Sequence, residues 1–130
     1  MSWSVDLFVD AHDPMPQFVR DVEAACNVKF TQVCSDATER YEYRDALGVV
    51  CLWDDHELEN DRGINFEDYR YELNVRPYRT TNWERDQRAG YELAVRLFEQ
   101  LKATGRYRLM LVEELQKRLQ VFDPQAAVSE

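Results

Sequence analysis

The chain has 130 residues, 45% hydrophobic and 32% charged, proportions typical of one folded domain rather than of a disordered chain. Its formal net charge of −9 arises within residues 1–62, which hold 14 acids and 5 bases, because residues 63–130 hold 11 of each. A negative field of this kind opposes binding to nucleic acid and to anionic membranes, and no apolar run approaches the roughly 18 residues that a membrane span needs.

Three cysteines bear on the compartment in which the protein works. Cys26, Cys34 and Cys51 lie in apolar patterns without CxxC spacing, so we expect buried free thiols rather than disulfides or a metal site. The acidic first 13 residues lack the basic start and the small-residue cleavage site of a secretory signal. Both features predict a cytoplasmic protein.

The first half of the chain is predicted to form four strands and one helix. The helix covers 13–27, with Asp13 as its N-cap and Pro14 as its first residue. The run VVCLW is apolar at every position, which predicts a central strand covered on both faces. The four predicted strands are 3–10, 28–34, 41–45 and 49–53.

The second half is predicted to add two strands and a long helix. Residues 67–77 alternate between apolar and polar side chains, the clearest strand pattern in the sequence. A helix follows, which begins at a capping box formed by Thr81 and Glu84 and ends at a glycine. A last strand covers 107–112, and residues 113–120 are predicted to form a short terminal helix.

These elements predict an α+β fold. The order β-α-β-β-β-β-α-β, followed by the terminal helix, favours a single domain over 1–122 with a flexible tail over 123–130. Hairpins in the middle of the chain favour a curved, largely antiparallel sheet with both helices packed on one face. A ferredoxin-like topology is one version of that arrangement.

The segment WDDHELENDRG, residues 53–63, is the most acidic in the chain. Between Asp54 and Asp61 it holds five carboxylates, one histidine and no base. An EF-hand loop is excluded, since counting back from the glycine places leucine at the first ligand position, and counting from Asp55 places asparagine where the glycine belongs. Two interpretations stay open: a solubilising loop, or a surface presented to a basic partner.

A metal site is an alternative use of the same segment. One histidine follows the first predicted strand and the other follows the VVCLW strand, so adjacent strand ends would bring imidazoles and carboxylates together. Their spacing matches no specific metal-binding motif. The candidate ligands are Asp10, His12, Asp54 and His56.

Other catalytic chemistry has less support. Asp6, Asp10 and Glu72 lie on predicted strands, where partial burial could hold a carboxyl group protonated, but nothing in the sequence marks two of them as an acid/base pair. The sequence contains neither a GxSxG nucleophile elbow nor a glycine-rich phosphate-binding motif. No cofactor is predicted.

A basic cluster is the remaining candidate for ligand binding. Arg70, Arg76 and Arg79 lie on or just after the alternating strand, near Tyr78 and Trp83. Guanidinium groups bind carboxylates and phosphates in a forked geometry, so this face could hold an anionic small molecule. The alternative, and the more common arrangement, is pairing with acids on neighbouring strands.

The sequence favours an interaction protein over an enzyme. A small acidic domain without a catalytic motif suits a basic protein partner, such as a toxin or a secreted effector, which it would neutralise or chaperone. In size and charge it is similar to bacterial immunity proteins, antitoxins and acidic secretion chaperones. This is a similarity to a class of proteins, and no sequence motif identifies a family. The alternative is a small enzyme or ligand-binding domain that uses the arginines or the histidine cluster. The expected partner contacts are Trp53, Asp54, Asp55, Glu57, Glu59, Asp61 and Phe66.

Overall fold

Strands and helices follow one another in the order β-α-β-β-β-β-α-β-β within the residues that the computed structural model describes, 3–35, 38–54 and 56–125. The predicted flexible tail therefore lies largely outside the described residues. The strands are β1 (Val5–Asp10), β2 (Thr31–Ser35), β3 (Thr38–Arg44), β4 (Gly48–Asp54), β5 (Tyr71–Pro77), β6 (Arg108–Glu113) and β7 (Lys117–Phe122). The helices are α1 (Met15–Cys26) and α2 (Trp83–Thr104), and a short 3-10 turn covers Phe66–Asp68.

The strands form one sheet in the order β2-β3-β4-β5-β1-β6-β7, and every neighbouring pair is antiparallel. This confirms the predicted α+β class and the antiparallel sheet. The four strands β4-β5-β1-β6, together with the two helices, have the order of a ferredoxin-like sheet. The β2–β3 hairpin extends one side of that unit and β7 extends the other.

Both helices pack on one face of the sheet, as predicted. Their apolar residues recur at helical spacing, and Phe18 of α1 stacks on Tyr71 of β5 with ring centroids 4.1 Å apart. Within the described part of the chain, no helix is long and apolar enough to cross a membrane. The core beneath the helices includes Val5, Leu7, Val9, Phe18, Val22, Val50, Leu52, Leu73, Val75, Leu93, Leu97, Phe98, Leu101, Leu109 and Leu111.

The helix starts differ from the predicted ones by about one residue. Pro14, rather than Asp13, occupies the N-cap position of α1. Helix α2 is capped by Asn82, whose side-chain oxygen accepts a hydrogen bond from the backbone N–H of Arg85 at 3.1 Å. Asparagine is among the preferred N-cap residues, and here it takes the position that the sequence pattern assigned to Thr81.

The predicted terminal helix is wrong, because β7 (Lys117–Phe122) pairs with β6 instead. Residues 114–116 join the strands in a tight turn: Glu114 and Leu115 have φ values of 49° and 59°, and Gln116 N–H donates to the Glu113 carbonyl at 2.9 Å. Neither turn residue is a glycine or asparagine, so the sequence carries no hairpin signal there. Local helix propensity is overridden by pairing along the free edge of β6.

Strand β4 is covered on one face rather than on both. Val50 and Leu52 are fully buried beneath the helices, whereas Val49, Cys51 and Trp53 are half-buried on the opposite face. We call this second face of the sheet the outer face. Because the outer face is only partly covered at β4, the apolar run VVCLW is still partly exposed to solvent.

The prediction of buried free thiols is supported in full at Cys26 and in part at Cys51. Cys26 is buried and Cys51 is half-buried, and both are free thiols. Burial raises the pKa of Cys26 to about 11, which keeps this thiol protonated and unreactive at neutral pH. The side chain of Cys34 lies outside the described residues.

Candidate functional site

The acidic segment leaves the sheet at the end of β4 and folds back across the outer face of β1 and β6. Ile64, Phe66 and Tyr69 are 3%, 2% and 3% exposed, and they pack against Phe8 of β1 and Met110 of β6. The segment is therefore anchored by its own hydrophobic base. We call this base the outer cluster, which consists of Phe8, Ile64, Phe66, Tyr69, Met110 and Val112.

The tip of the segment is a tight turn held by the backbone. Asp61 N–H donates to the Ile64 carbonyl at 3.1 Å, and Ile64 N–H donates to the Asp61 carbonyl at 2.7 Å. The two residues between them have φ values of 52° and 76°, as in a type I′ turn, and the second is Gly63. Asn60 and Glu67 close the base of the turn, since the backbone N–H of each donates to the side chain of the other at 2.9 Å.

The predicted partner contacts lie in different environments. Trp53 is half-buried on the outer face, with the Arg40 guanidinium carbon 5.3 Å from its ring centroid. Phe66, predicted as a partner contact, is instead buried in the outer cluster and supports the segment from below. Asp55 lies outside the described residues. The exposed carboxylates are Glu57, Glu59 and Asp61.

His56 fixes the start of the segment. The backbone N–H of Leu58 donates to Nδ1 at 2.9 Å, so Nδ1 is unprotonated and Nε2 carries the hydrogen. Nε2 donates to the Tyr69 carbonyl at 2.7 Å, and the ring meets Phe8 edge-on with centroids 5.2 Å apart. Both ring nitrogens are therefore engaged by the backbone rather than available as metal ligands.

Replacing His56 by alanine is expected to lower the free energy of unfolding by about 1–3 kcal/mol, because the Leu58 N–H and the Tyr69 carbonyl lose their partner. His12→Ala is the matched control. His12 is exposed, so its loss should change stability by less than about 0.5 kcal/mol. Urea denaturation of the two variants measures the difference, and equal effects would contradict a structural role for His56.

The ends of β1 and β4 meet at an arginine rather than at a metal site. Arg70 donates to the Asp54 carboxylate from Nε at 2.9 Å and from Nη2 at 3.1 Å, and its Nη1 donates to the carbonyls of residues 12–13 at 3.3 Å. Asp10 pairs with Arg108 at 3.1 Å. Among residues 3–35, 38–54 and 56–125, no group of three His, Cys, Asp or Glu side chains is placed to hold a metal ion. The structure thus does not assemble the predicted ligand set, which was Asp10, His12, Asp54 and His56.

The predicted arginine face is divided between the two ends of β5. Arg70 lies before the strand, in the ion pair just described. Arg76 and Arg79 lie at the other end, where they line one depression together with Tyr78 and Trp83. Two of the three predicted arginines are therefore brought together, along with both aromatic residues that the sequence placed near them.

Two carboxyl groups on the outer face form a pair that the sequence analysis did not identify. Asp6 lies opposite Asn74 and Phe8 lies opposite Glu72, so Asp6 and Glu72 are diagonal neighbours on β1 and β5. Asp6 is 1% exposed, and the Asn74 amide donates to one of its oxygens. Among the described residues, Oδ2 of Asp6 has no hydrogen-bond donor while Glu72 is ionised. When Glu72 is protonated, its carboxyl group can donate to the Asp6 carboxylate.

The protonation of this pair follows from its burial. Burial raises the pKa of Asp6 to about 6 and that of Glu72 to about 8, and the negative charge of Asp6 adds to the rise at Glu72. Arg76 opposes both rises through its positive charge. Near neutral pH the two carboxyl groups therefore share one proton, and the pair carries a single negative charge.

Comparison of the chain with protein-family models, with curated proteins and with solved structures finds no significant match. The ferredoxin-like order of the central strands occurs in many unrelated proteins, so it does not select a function. Function is therefore inferred from the exposed carboxylates of the acidic segment and from the buried base that holds them in place.

Proposed function

We propose that this protein binds a basic protein partner through residues 57–61, and that it neutralises or chaperones the partner by covering a basic surface. The observation that carries the proposal is the position of Glu57, Glu59 and Asp61, which are exposed on a segment whose underside is buried in the outer cluster. A segment fixed in this way holds its charges in place before the partner arrives, which reduces the entropy lost on binding.

A depression beside the segment offers room for a basic side chain. It has a volume of about 560 Å³, and its lining includes the acidic residues Glu57 and Glu67 and the apolar side chains of Leu58 and Tyr69. An arginine or lysine of the partner could lay its aliphatic stem on the apolar wall and direct its charged head to the carboxylates. The arginine of the ion pair at the start of β5 also lines the depression, but its charge is already matched.

The distribution of charge supports the same kind of partner. The net charge of −9 arises within residues 1–62, which include the exposed carboxylates. Such a field accelerates encounter with a basic protein and excludes acidic competitors. In these respects the proposed role is like that of an immunity protein or antitoxin acting on a toxin or secreted effector. A cytoplasmic location fits the proposal, since free thiols persist in a reducing compartment.

Neutralising the segment in the triple variant E57Q/E59Q/D61N is expected to weaken partner binding by about tenfold, because each exposed charge pair contributes roughly 0.2–1 kcal/mol. The control E84Q/E92Q/E99Q removes the same charge from exposed positions of α2 and should bind like the wild type. Immobilised wild type and both variants are used to capture proteins from the native cell, and the captured partner is then titrated at low and at physiological salt.

The expected partner is a basic protein that the wild type and the α2 variant retain, that the segment variant releases, and whose affinity falls steeply with salt. Equal retention by all three proteins would overturn the proposal. A partner whose affinity is independent of salt would do the same, because exposed ion pairs are screened.

A further inference from the structure

A second depression lies at the other end of β5, away from the acidic segment. It has a volume of about 240 Å³, and its lining includes Arg76, Tyr78, Arg79 and Trp83. Two arginines and one aspartate line it, in a chain of net charge −9. The depression is therefore a basic site on an acidic protein, and the proposed partner binding makes no use of it.

The floor of the depression is fixed by close packing against α2. Trp3 is 6% exposed and packs directly against Gly90 of α2. A Cβ atom added at Gly90 would lie only 2.6 Å from Cζ3 of Trp3 and 3.2 Å from Cδ of Pro77. Only glycine lets the helix backbone approach these two side chains so closely. The Trp3 ring also packs on Tyr91, with centroids 5.1 Å apart. The floor is thus held in place before any ligand arrives.

The rim carries aromatic rings that are unusually exposed. Tyr78 is 40% exposed and Trp83 is 39% exposed, and Val121 is the only other large hydrophobic residue as exposed within the described residues. Exposed rings of this kind offer flat apolar surfaces on which a planar group can stack. Their place beside two guanidinium groups points to a ligand that combines a ring with negative charge.

The polar groups of the depression leave a positive balance. Nε of Arg76 donates to Oδ1 of Asn74 at 2.8 Å, which orients the guanidinium group at the end of β5. Asp86 also lines the depression. Its carboxylate accepts two hydrogen bonds from Thr80, one from the backbone N–H at 2.8 Å and one from the side-chain hydroxyl at 2.6 Å. That carboxylate therefore shapes the loop before α2. Arg76 and Arg79 against Asp86 give the lining residues a net charge of +1, and the charge of Arg76 also acts on the carboxyl pair of Asp6 and Glu72.

We infer that this depression binds a small aromatic anion, with the ring against Trp83 or Tyr78 and a carboxylate or phosphate held by Arg76 and Arg79. Guanidinium groups suit both anions, since their N–H donors match pairs of oxygens. The volume is below the roughly 300–1,000 Å³ of pockets for drug-sized molecules, so the site has room for a whole one-ring acid but for only part of a nucleotide. Partner binding through the acidic segment is not required for this inference.

Four probes separate the two features of the ligand. AMP and benzoate each combine a ring with an anion, adenosine supplies a ring alone, and inorganic phosphate supplies an anion alone. The readout is the indole N–H signal of Trp83 in a proton–nitrogen correlation spectrum, identified by its absence from the W83F spectrum. We expect AMP, benzoate or both to shift this signal saturably, and adenosine and phosphate to do so at least tenfold more weakly.

Two matched variants assign the binding to the arginines. R76A/R79A should weaken binding of the aromatic anion by about 10- to 100-fold, the range expected for losing charge-assisted hydrogen bonds. R85A/R88A removes two exposed arginines of α2 that do not line the depression, and it should bind like the wild type. The inference is overturned if neither aromatic anion shifts the signal, if adenosine or phosphate alone binds as tightly, or if both double variants bind equally.

Discussion

The Phe66→Ala variant should lose about 3–5 kcal/mol of unfolding free energy, as measured by urea denaturation at neutral pH. Phe66 is 2% exposed and packs edge-on against Phe8 with ring centroids 5.1 Å apart. Removing its ring leaves a cavity between the acidic segment and the outer face of β1, and the paired strands on either side cannot move to fill it. The loss is therefore expected to lie in the range found for core aromatic residues.

A second readout locates the damage. Amide hydrogen exchange in Phe66→Ala should accelerate most within residues 57–65, because that segment has no other hydrophobic base than the outer cluster within the described residues. Phe98→Ala, an equivalent truncation beneath α2, should cost a similar free energy without selectively exposing 57–65. Partner affinity should also fall in Phe66→Ala although no charge is removed. A loss below about 1 kcal/mol would mean that Phe66 does not anchor the segment.

The sheet was predictable where the side-chain pattern and the local propensity agree. Strand β5 alternates between buried Leu73 and Val75 and the polar residues between them, and α2 keeps an apolar stripe over its whole length. β7 was not predictable, because Lys117–Phe122 follows a turn at Glu114 and Leu115 that carries no glycine or asparagine. Its strand conformation depends on the edge of β6, which is information about the tertiary structure and not about the local sequence.

The functional features were predictable only in part, for a related reason. Both Asp6 and Glu72 could be assigned to strands, but their pairing depends on β5 lying beside β1 in one register, which no local pattern specifies. The metal ligands expected around His56 are not brought together among the described residues, because Arg70 lies between the strand ends and pairs with the carboxylate of Asp54. The exposure of the segment's acids, in contrast, follows from the turn residues that the sequence shows.

The stability of the wild-type protein is expected to fall as pH rises from about 6 to about 8, and Glu72→Gln should remove this dependence. Burial beside Asp6 raises the pKa of Glu72 to about 8, whereas a glutamate in the unfolded chain titrates near 4.3. Between these values the folded protein holds a proton that the unfolded chain has released. The stabilisation that this proton provides is fully present below the pKa of the glutamate in the unfolded chain. It is lost as the pH rises through the pKa of Glu72 in the folded protein.

The slope follows from the one bound proton. A difference of one proton between the folded and unfolded states changes the free energy of unfolding by about 1.4 kcal/mol per pH unit. The proton of Asp6, whose pKa is also raised by burial to about 6, adds to the slope mainly at and below pH 6, so Glu72 dominates toward pH 8. Groups with lowered pKa values, such as Asp45, titrate below this interval.

Glu72→Gln tests this directly because the glutamine amide can donate to the Asp6 carboxylate as the protonated glutamate does, and it does so at every pH. The variant should match the wild type near pH 6, exceed it in stability at pH 8, and show a nearly flat profile between. Glu42→Gln is the matched control, since Glu42 points to the same outer face but is paired with Arg44 at 2.9 Å, and it should retain the wild-type slope. Urea denaturation at half-unit steps of pH gives all three profiles.

A wild-type profile that is already flat from pH 6 to 8 would mean that the two carboxyl groups do not share a proton. Oδ2 of Asp6 would then be a buried acceptor without a donor among the described residues.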